Sequence, residues 1–335
     1  MKIAVFGCKH TTEFFIRKLN TGLPIDCVIT LSPITVVKSK TNIADYCDLV
    51  TAFGNEFRYY QANKYTLKDE EDLEFFKEEK FDIGFVASWQ RIIPAEVLDT
   101  FSVGVFGMHG SAMNLPQGRG RSPLNWSIIE DKKVFYTNLF KYDAGVDSGA
   151  IVDTFKFNVL PTDTAESLHF KNVLAMVQMI RRNVEQFLTE GEICWREQRN
   201  ETPTYYPKRT PKDSLIPWEA DVFYIDRLIR AVAPPFNGAF TYLKTTCTCE
   251  TPHKVSILRA RLFDTVDFRQ DLEYVPGQVM HVFPNGKFIV ACVGGVLLVD
   301  EYQSEIVVKE HQQFCDGGLE RKEFPVNQFG GHDLP

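Results

Sequence analysis

The stretch FDIGFVASWQRIIPAEVLDTFSVGVF, residues 81–106, decides the fold. It holds two apolar runs, Phe81–Ala87 and Ser102–Phe106, each bounded by turn or polar residues. Continuous apolar runs of this length are what strands covered on both faces require. Working outward, Lys2–Phe6 is a third such run, ending in Gly7. An amphipathic stretch with Glu13, Phe14, Phe15, Arg17, Lys18 and Leu19 follows, then a further apolar run at Ile25–Leu31. Helical patterns recur at Ile43–Phe53 and at Lys68–Lys80, the second charged along one face. Strands separated by helices imply βαβ units and a largely parallel sheet. Ligands of such sheets bind outside the carboxyl ends of the strands, which directs attention to the loops after Phe6, Ala87 and Phe106.

Downstream, Val134–Phe140 and Ala150–Val159 read as strands. Thr162–Gly191 reads as one long helix that Thr164 can cap, with Glu166, Leu168, Val173, Met176 and Ile180 at helical intervals. Between Glu201 and Pro217 the composition shifts to Thr, Pro, Tyr, Lys and Arg without a periodic face, a linker signal. A helix is expected at Val222–Val232. Short strands are expected at Ala239–Leu243, Lys254–Leu262, Gly277–Phe283, Lys287–Cys292 and Gly295–Val299, punctuated by PNG and GG turns. This describes a small, mainly β second domain of the partly open barrel type. The expected organisation is a first domain over 1–200, a linker over 201–213, a second domain over 214–303, and a tail over 304–335 without an assigned role.

A length of 335 residues suits two domains. Apolar residues at 44% and charged residues at 24% exclude a largely disordered chain. The 37 basic against 44 acidic residues, net −7, disfavour nucleic acid as a partner. No run reaches the ~20 apolar residues of a membrane span, and no secretory signal pattern is visible. The 8 cysteines are scattered. The one close pair, Cys247 and Cys249, lacks a second pair or a His at zinc spacing, so no metal is expected. Reduced thiols in a cytoplasmic protein follow.

The chemistry concentrates in residues 107–149, GMHGSAMNLPQGRGRSPLNWSIIEDKKVFYTNLFKYDAGVDSG. His109 is expected on a Gly-flanked turn a few residues past a buried strand, and Asp147 lies in a second Gly-bracketed loop. If the intervening strands are neighbours, the two face one crevice. A carboxylate beside an imidazole fixes its tautomer and suits proton shuttling and care of a developing oxyanion. A single His on a turn and an Asp in a GxDxG loop are also ordinary turn chemistry, so the residues alone leave both readings open.

The segments HGSxxxLPxxRGRSPLNWxI and GVDSGxI resemble the folate-dependent formyltransferases, which include methionyl-tRNA and amino-sugar formyltransferases. RTPKDSLIPW and IDRLIRAVAPPFNGAFTYL are similar to the start of the C-terminal domain of those enzymes, and PGQVMHVFPNGKFIVACVGGVLLV to its later strands. The resemblance spans roughly residues 1–303 and is weakest around 30–80. It implies an α/β fold: a Rossmann-like formyltransferase domain with a parallel-rich sheet, then a small OB-like, mainly β C-terminal domain. It also implies 10-formyltetrahydrofolate as donor. The family's catalytic set is Asn-x-His with a distant Asp. His109 and Asp147 match the last two, whereas Gly107 stands at the Asn position. Loss of one such oxyanion donor typically costs on the order of 10²–10³ in rate. Asn114 in the expanded loop, protonated His109, or a water are candidate replacements.

By the same resemblance the donor pocket involves Ser88, Trp89, Gln90, Arg91 and Ile92 together with Asp143 and Gly145. Trp89 either stacks on a ligand ring or packs in the core. Ser111, Arg119 and Arg121 are candidates for the acceptor; an Arg fork matches phosphate, although tying neighbouring loops together is the competing role. Asn125 and Trp126 begin a helix and pack. A nucleotide-linked amino sugar is the favoured acceptor, because the chain is acidic and the RGRSPLNW and RTPKDS segments are closer to the sugar-nucleotide branch. Methionyl-tRNA formylation, formyltetrahydrofolate hydrolysis, and folate or nucleotide binding without turnover are the alternatives. The expected partners are small molecules, with a homodimer left open.

Overall fold

The computed structural model describes all residues except 21, 39–42, 44, 186–187, 189–192, 245–251, 266–273, 323 and 325–335. Cys247 and Cys249 lie outside the described residues, as do parts of the Ile43–Phe53 stretch, the end of the long helix and much of the tail.

The first layer is built from β1 (Ile3–Phe6), α1 (His10–Leu19), β2 (Cys27–Thr30), α2 (Pro33–Lys38), α3 (Leu49–Phe53), β3 (Tyr59–Gln61), α4 (Glu70–Glu79), β4 (Ile83–Val86), α5 (Ala95–Leu98) and β5 (Gly104–Ser111). After these come β6 (Arg119–Gly120), α6 (Pro123–Ile129), β7 (Val134–Lys141), β8 (Ile151–Asn158) and α7 (Ala165–Glu185). Seven strands form one sheet in the order β3-β2-β1-β4-β5-β7-β8. The first five run parallel, whereas β7 returns antiparallel to β5, and β8 to β7. The sheet is therefore the parallel-rich, Rossmann-like layer, with the strand order reversing between β1 and β4. Alternate strand residues feed two cores. Val5, Phe85, Phe106 and Leu139 pack under Phe15, Ile16, Met176 and Ile180 of α1 and α7. Phe6, Ile29 and Val105 pack against Phe76, Phe81 and Phe101 on the opposite face.

Two sequence expectations are corrected here. Among the described residues of the Ile43–Phe53 stretch, helix forms over Leu49–Phe53: the Asp48 carboxylate caps it by accepting from Val50 N at 3.2 Å, and Cys47 N upstream donates to Cys8 O at 3.0 Å instead. Competition from the side chain and the neighbouring loop stops the helix from starting earlier. The Ser102–Phe106 strand continues to Ser111, because β7 pairs with it from Phe106↔Lys141 to Ser111↔Tyr136. Gly107 and His109 consequently belong to the strand, not to a turn after it.

The chain then forms β9 (Tyr205–Tyr206), which pairs with β6, before α8 (Val222–Val232) and the second sheet. That sheet comprises β10 (Ala239–Leu243), β11 (His253–Asp264), β12 (Val279–Val282), β13 (Phe288–Cys292), β14 (Gly295–Ser304) and β15 (Phe314–Cys315), in the order β12-β13-β14-β11-β10-β15. A bridge between Gln278 and Gln313 ties its two ends, curling it into an antiparallel half-barrel. Residues past 304, which the sequence left unplaced, thus supply a strand, and Phe314 is buried in its core. Helix α8 starts at Asp221, whose carboxylate accepts from Tyr224 N at 2.8 Å, and buries Val222, Ile225, Leu228, Ile229 and Val232. Those residues share one core with the half-barrel and with Trp126, Ile128 and Ile129 of α6, so the two domains are packed together. Among the described residues no helix is long and apolar enough to cross a membrane.

Candidate active site

Side chains alternate along a strand, so residues 105, 107 and 109 of β5 project to one side. His109 is 6% exposed. Its Nδ1 lies 3.3 Å from Asp147 Oδ2, and its Nε2 lies 2.7 Å from the carbonyl oxygen of Gly118. Both ring nitrogens therefore face acceptors, and a protonated ring donates to both. The pair expected from the sequence is assembled.

Asp147 reaches the strand because its loop turns back with φ 52°, in the left-handed region. Its Oδ2 also accepts from Gly120 N at 3.0 Å. Its backbone oxygen accepts from Gln198 Nε2 at 2.8 Å, and Gln198 in turn accepts from Arg119 Nη2 at 2.6 Å. Arg119 thus braces the Asp147 loop through Gln198, the tying role weighed for it above.

His109 opens onto a cavity of about 290 Å³ at the carboxyl ends of β1 and β4. Lys9 follows β1, Ser88 follows β4, Tyr142 follows β7, His169 comes from α7, and Pro235 and Phe236 reach in from the second domain. Of the expected donor residues, Ser88, Trp89 and Gln90 line this cavity, whereas Arg91 and Ile92 do not. The Ser88 hydroxyl meets the Thr11 hydroxyl at 2.8 Å. Trp89 is 6% exposed, edge-on to Tyr65 with centroids 4.9 Å apart, so most of its ring is core. Arg91 lies over the Tyr65 ring and Ile92 is 62% exposed. Asp143 and Gly145 sit in an exposed turn in which Gly145 N and the Ser148 hydroxyl donate to the Asp143 carboxylate.

The remaining candidates also lie outside the cavity wall. Ser111 is fully buried, its hydroxyl donating to Met113 O at 2.6 Å and stapling the loop. Asn114 is exposed on that loop, where its carbonyl accepts from Gln117 N at 3.0 Å. Its placement corrects its candidacy as the oxyanion donor, since the expanded loop turns outward. Arg121 is exposed but near enough for its charge to act on Lys9. Trp126 packs, as expected of α6, whereas Asn125, expected only to pack, also lines the cavity; they donate to Pro207 O at 2.9 Å and Ala231 O at 2.6 Å respectively.

Lys9, His169 and Tyr142 are among the wall residues that the sequence did not single out. Lys9 is 6% exposed and has no ion pair among the described residues; burial pushes its ammonium below the ordinary range, with the Cys8 and Asp45 charges opposing and Arg121 adding. Burial and the Lys9 charge push the His169 imidazole down to about 4, and its Nδ1 has no partner. Burial raises the Tyr142 phenol, the Asp147 charge adding to the shift. Lys9 follows Phe6, so the strand-end rule indicated its loop; nothing in the local sequence indicated the other two. Away from the cavity, ligand atoms of His10, Glu13 and Cys47 lie within 4.8 Å of one another. There Glu13 is ion-paired with Arg17 at 2.9 Å, and burial pushes the Cys47 thiol up to about 11.

Residues 1–180 match the formyl transferase family and residues 208–311 the formyl transferase C-terminal domain. Among solved structures, the chain is similar to an N-formyltransferase from Helicobacter canadensis in complex with folinic acid and dTDP-3-aminofucose. Identity is 17% and the TM-score 0.59, covering 90% of this chain and 100% of that one. It is also similar to WlaRD, a sugar 3N-formyl transferase solved with dTDP and 5-N-formyl-THF, at 17% identity and TM-score 0.59, over 91% and 98% of the two chains. HypX from Aquifex aeolicus, in complex with tetrahydrofolic acid, aligns at 14% identity and TM-score 0.60, over 100% of this chain and 51% of that one.

Proposed function

The chain belongs to the formyl transferase family, and on that premise we propose that its cavity passes a formyl group from 10-formyltetrahydrofolate to the amine of a nucleotide-linked amino sugar. The observation that carries this reading is the His109–Asp147 pair, 3.3 Å apart, at the edge of the cavity outside β1 and β4. The acceptor amine attacks the formyl carbon, forming a C–N bond and a tetrahedral oxyanion. The bond to folate N10 then breaks, N10 gains a proton, and the amine nitrogen loses one. His109 moves those protons by exchanging its Nε2 contact with Gly118 O for the reacting nitrogen, while Asp147 holds the ring through Nδ1 and balances its charge. We assign this chemistry to residues 1–200, joined through 201–213 to a C-terminal domain that begins at 214 and whose sheet runs past the expected bound of 303 to β15; Phe236 of that domain contributes to the cavity wall.

The folate donor is supported by the folate ligands of the similar structures, and the acceptor class by the dTDP-aminosugar bound to one of them. Lys9, buried and unpaired among the described residues, with Arg121 nearby, suits an acceptor that carries phosphate or carboxylate. Mass spectrometry of a panel of nucleotide amino sugars, with methionyl-tRNA and an acceptor-free reaction alongside, tests the reading. A formyl adduct on one sugar class is expected. Formylation of the tRNA alone, or formate release without an acceptor, overturns the assignment.

A further inference from the structure

Gly107 does not adopt a positive φ, so its backbone gives no reason for a glycine. Space does. A Cβ at position 107 would lie 2.4 Å from Tyr142 Cε1 and 2.7 Å from both Tyr142 Cζ and its hydroxyl oxygen. The Tyr142 phenol therefore fills the volume that a side chain at 107 would enter, on the same side of β5 as His109. The ring is held in place: Tyr142 N donates to Val105 O at 2.7 Å, and the ring stacks on Phe140 with centroids 5.1 Å apart. Its hydroxyl has no protein partner among the described residues, and the residue lines the cavity. His109, by contrast, has one ring nitrogen on Asp147 and the other on Gly118 O. Neither nitrogen is left over for a substrate oxygen, and Asn114 is outside the cavity.

We propose that Tyr142 is a catalytic residue whose hydroxyl donates a hydrogen bond to the formyl oxygen as it becomes an oxyanion, replacing a donor side chain at position 107. The proposal rests on the formyl-transfer reading above. When the amine attacks, the carbonyl electron pair moves onto oxygen; the phenol stabilises that charge without giving up its proton. When the pair returns, the bond to N10 breaks and the hydrogen bond relaxes. A preorganised donor aimed at developing charge in a dry site is the largest usual source of such stabilisation. Burial beside Asp147 keeps the phenol protonated, so it remains a donor over the whole working pH range.

The test is steady-state kinetics with melting temperatures. Tyr142→Phe keeps the ring and removes only the donor. It is expected to lower kcat by about 10²–10³-fold, with KM for donor and acceptor within about twofold and an unchanged melting temperature. Gly107→Asn alone collides with the ring and is expected to lose both stability and activity. Tyr142→Ala with Gly107→Asn frees the space and restores a donor, and is expected to exceed Tyr142→Ala alone by at least about tenfold. An active wild type with an unimpaired Tyr142→Phe overturns the role of Tyr142 alone. A wild type inactive towards every acceptor overturns the formyl-transfer reading and the role of Tyr142 with it. If the Phe variant loses stability, the double variant decides: recovery supports the proposal, and no recovery overturns it.

Discussion

The cavity's polar groups fall into two sets, a finished wall and an open wall, that differ in how they are satisfied rather than in which side of the cavity they occupy. On one wall, His109, Asp147, Gly118 and Gly120 answer one another through three contacts of 2.7–3.3 Å. On the other, Lys9 has no ion pair, His169 Nδ1 has no partner and the Tyr142 hydroxyl meets no protein group among the described residues. A buried polar group without a partner costs free energy in the empty protein. The first wall is finished by the fold; on the proposed reading the second is completed by what binds. Proton movement is assigned to the finished wall and recognition, with charge stabilisation, to the open one.

The sharpest break in that division is a variant of the finished wall. His109→Ala and Asp147→Asn are each expected to cut formyl transfer on the order of 10²–10⁴-fold while circular dichroism stays native; transfer at the wild-type rate in either removes the assignment. Next in size is the Tyr142→Phe loss described above, which exceeds a pure packing effect only if the open wall acts on the transition state. Lys9→Met is expected to raise the acceptor KM by roughly 10–100-fold through loss of a charge-assisted bond. It should also leave the melting temperature equal or higher, since an unpaired buried ammonium is removed. A fall in both affinity and stability would make Lys9 structural.

The smallest effect is acid sensitivity. His169 titrates at about 4 in the folded protein against an ordinary 6.5, so the unfolded chain takes up a proton first as the pH falls. Stability from this group is present above about pH 6.5 and is lost on descending towards pH 4. Urea melts of His169→Gln should lack that component; identical pH profiles for variant and wild type would place the ring in solvent.

The walls also differ in how well the sequence reveals them. His109 and Asp147 sit in segments of distinctive spacing, and the strands and helices around them follow from apolar runs and caps, as at Val222–Val232, which the periodicity bounds as the structure does. Tyr142 and His169 reach the cavity through tertiary pairing: the register Gly107↔Phe140 brings Tyr142 over Gly107, and α7 brings His169 across the sheet. Local pattern carries no trace of such approaches. The same limit explains β5. Its apolar run ends at Phe106, but its pairing does not, because β7 supplies partners to residues whose own sequence, GMHGS, has weak strand character. Loop candidates failed for a related reason: Asn114 and Asp143 satisfy backbone or side-chain donors in their own turns, which sequence spacing does not distinguish from reaching into a cavity.

The central claim is that one imidazole–carboxylate pair governs transfer of a one-carbon unit in this cavity. Isotope-labelled 10-formyltetrahydrofolate, incubated with nucleotide amino sugars and either wild-type or Asp147→Asn protein, tests it directly by mass spectrometry of the acceptor. The account predicts label on the sugar amine with wild type and none above background with the variant. Label appearing equally with both proteins, or with neither, contradicts it.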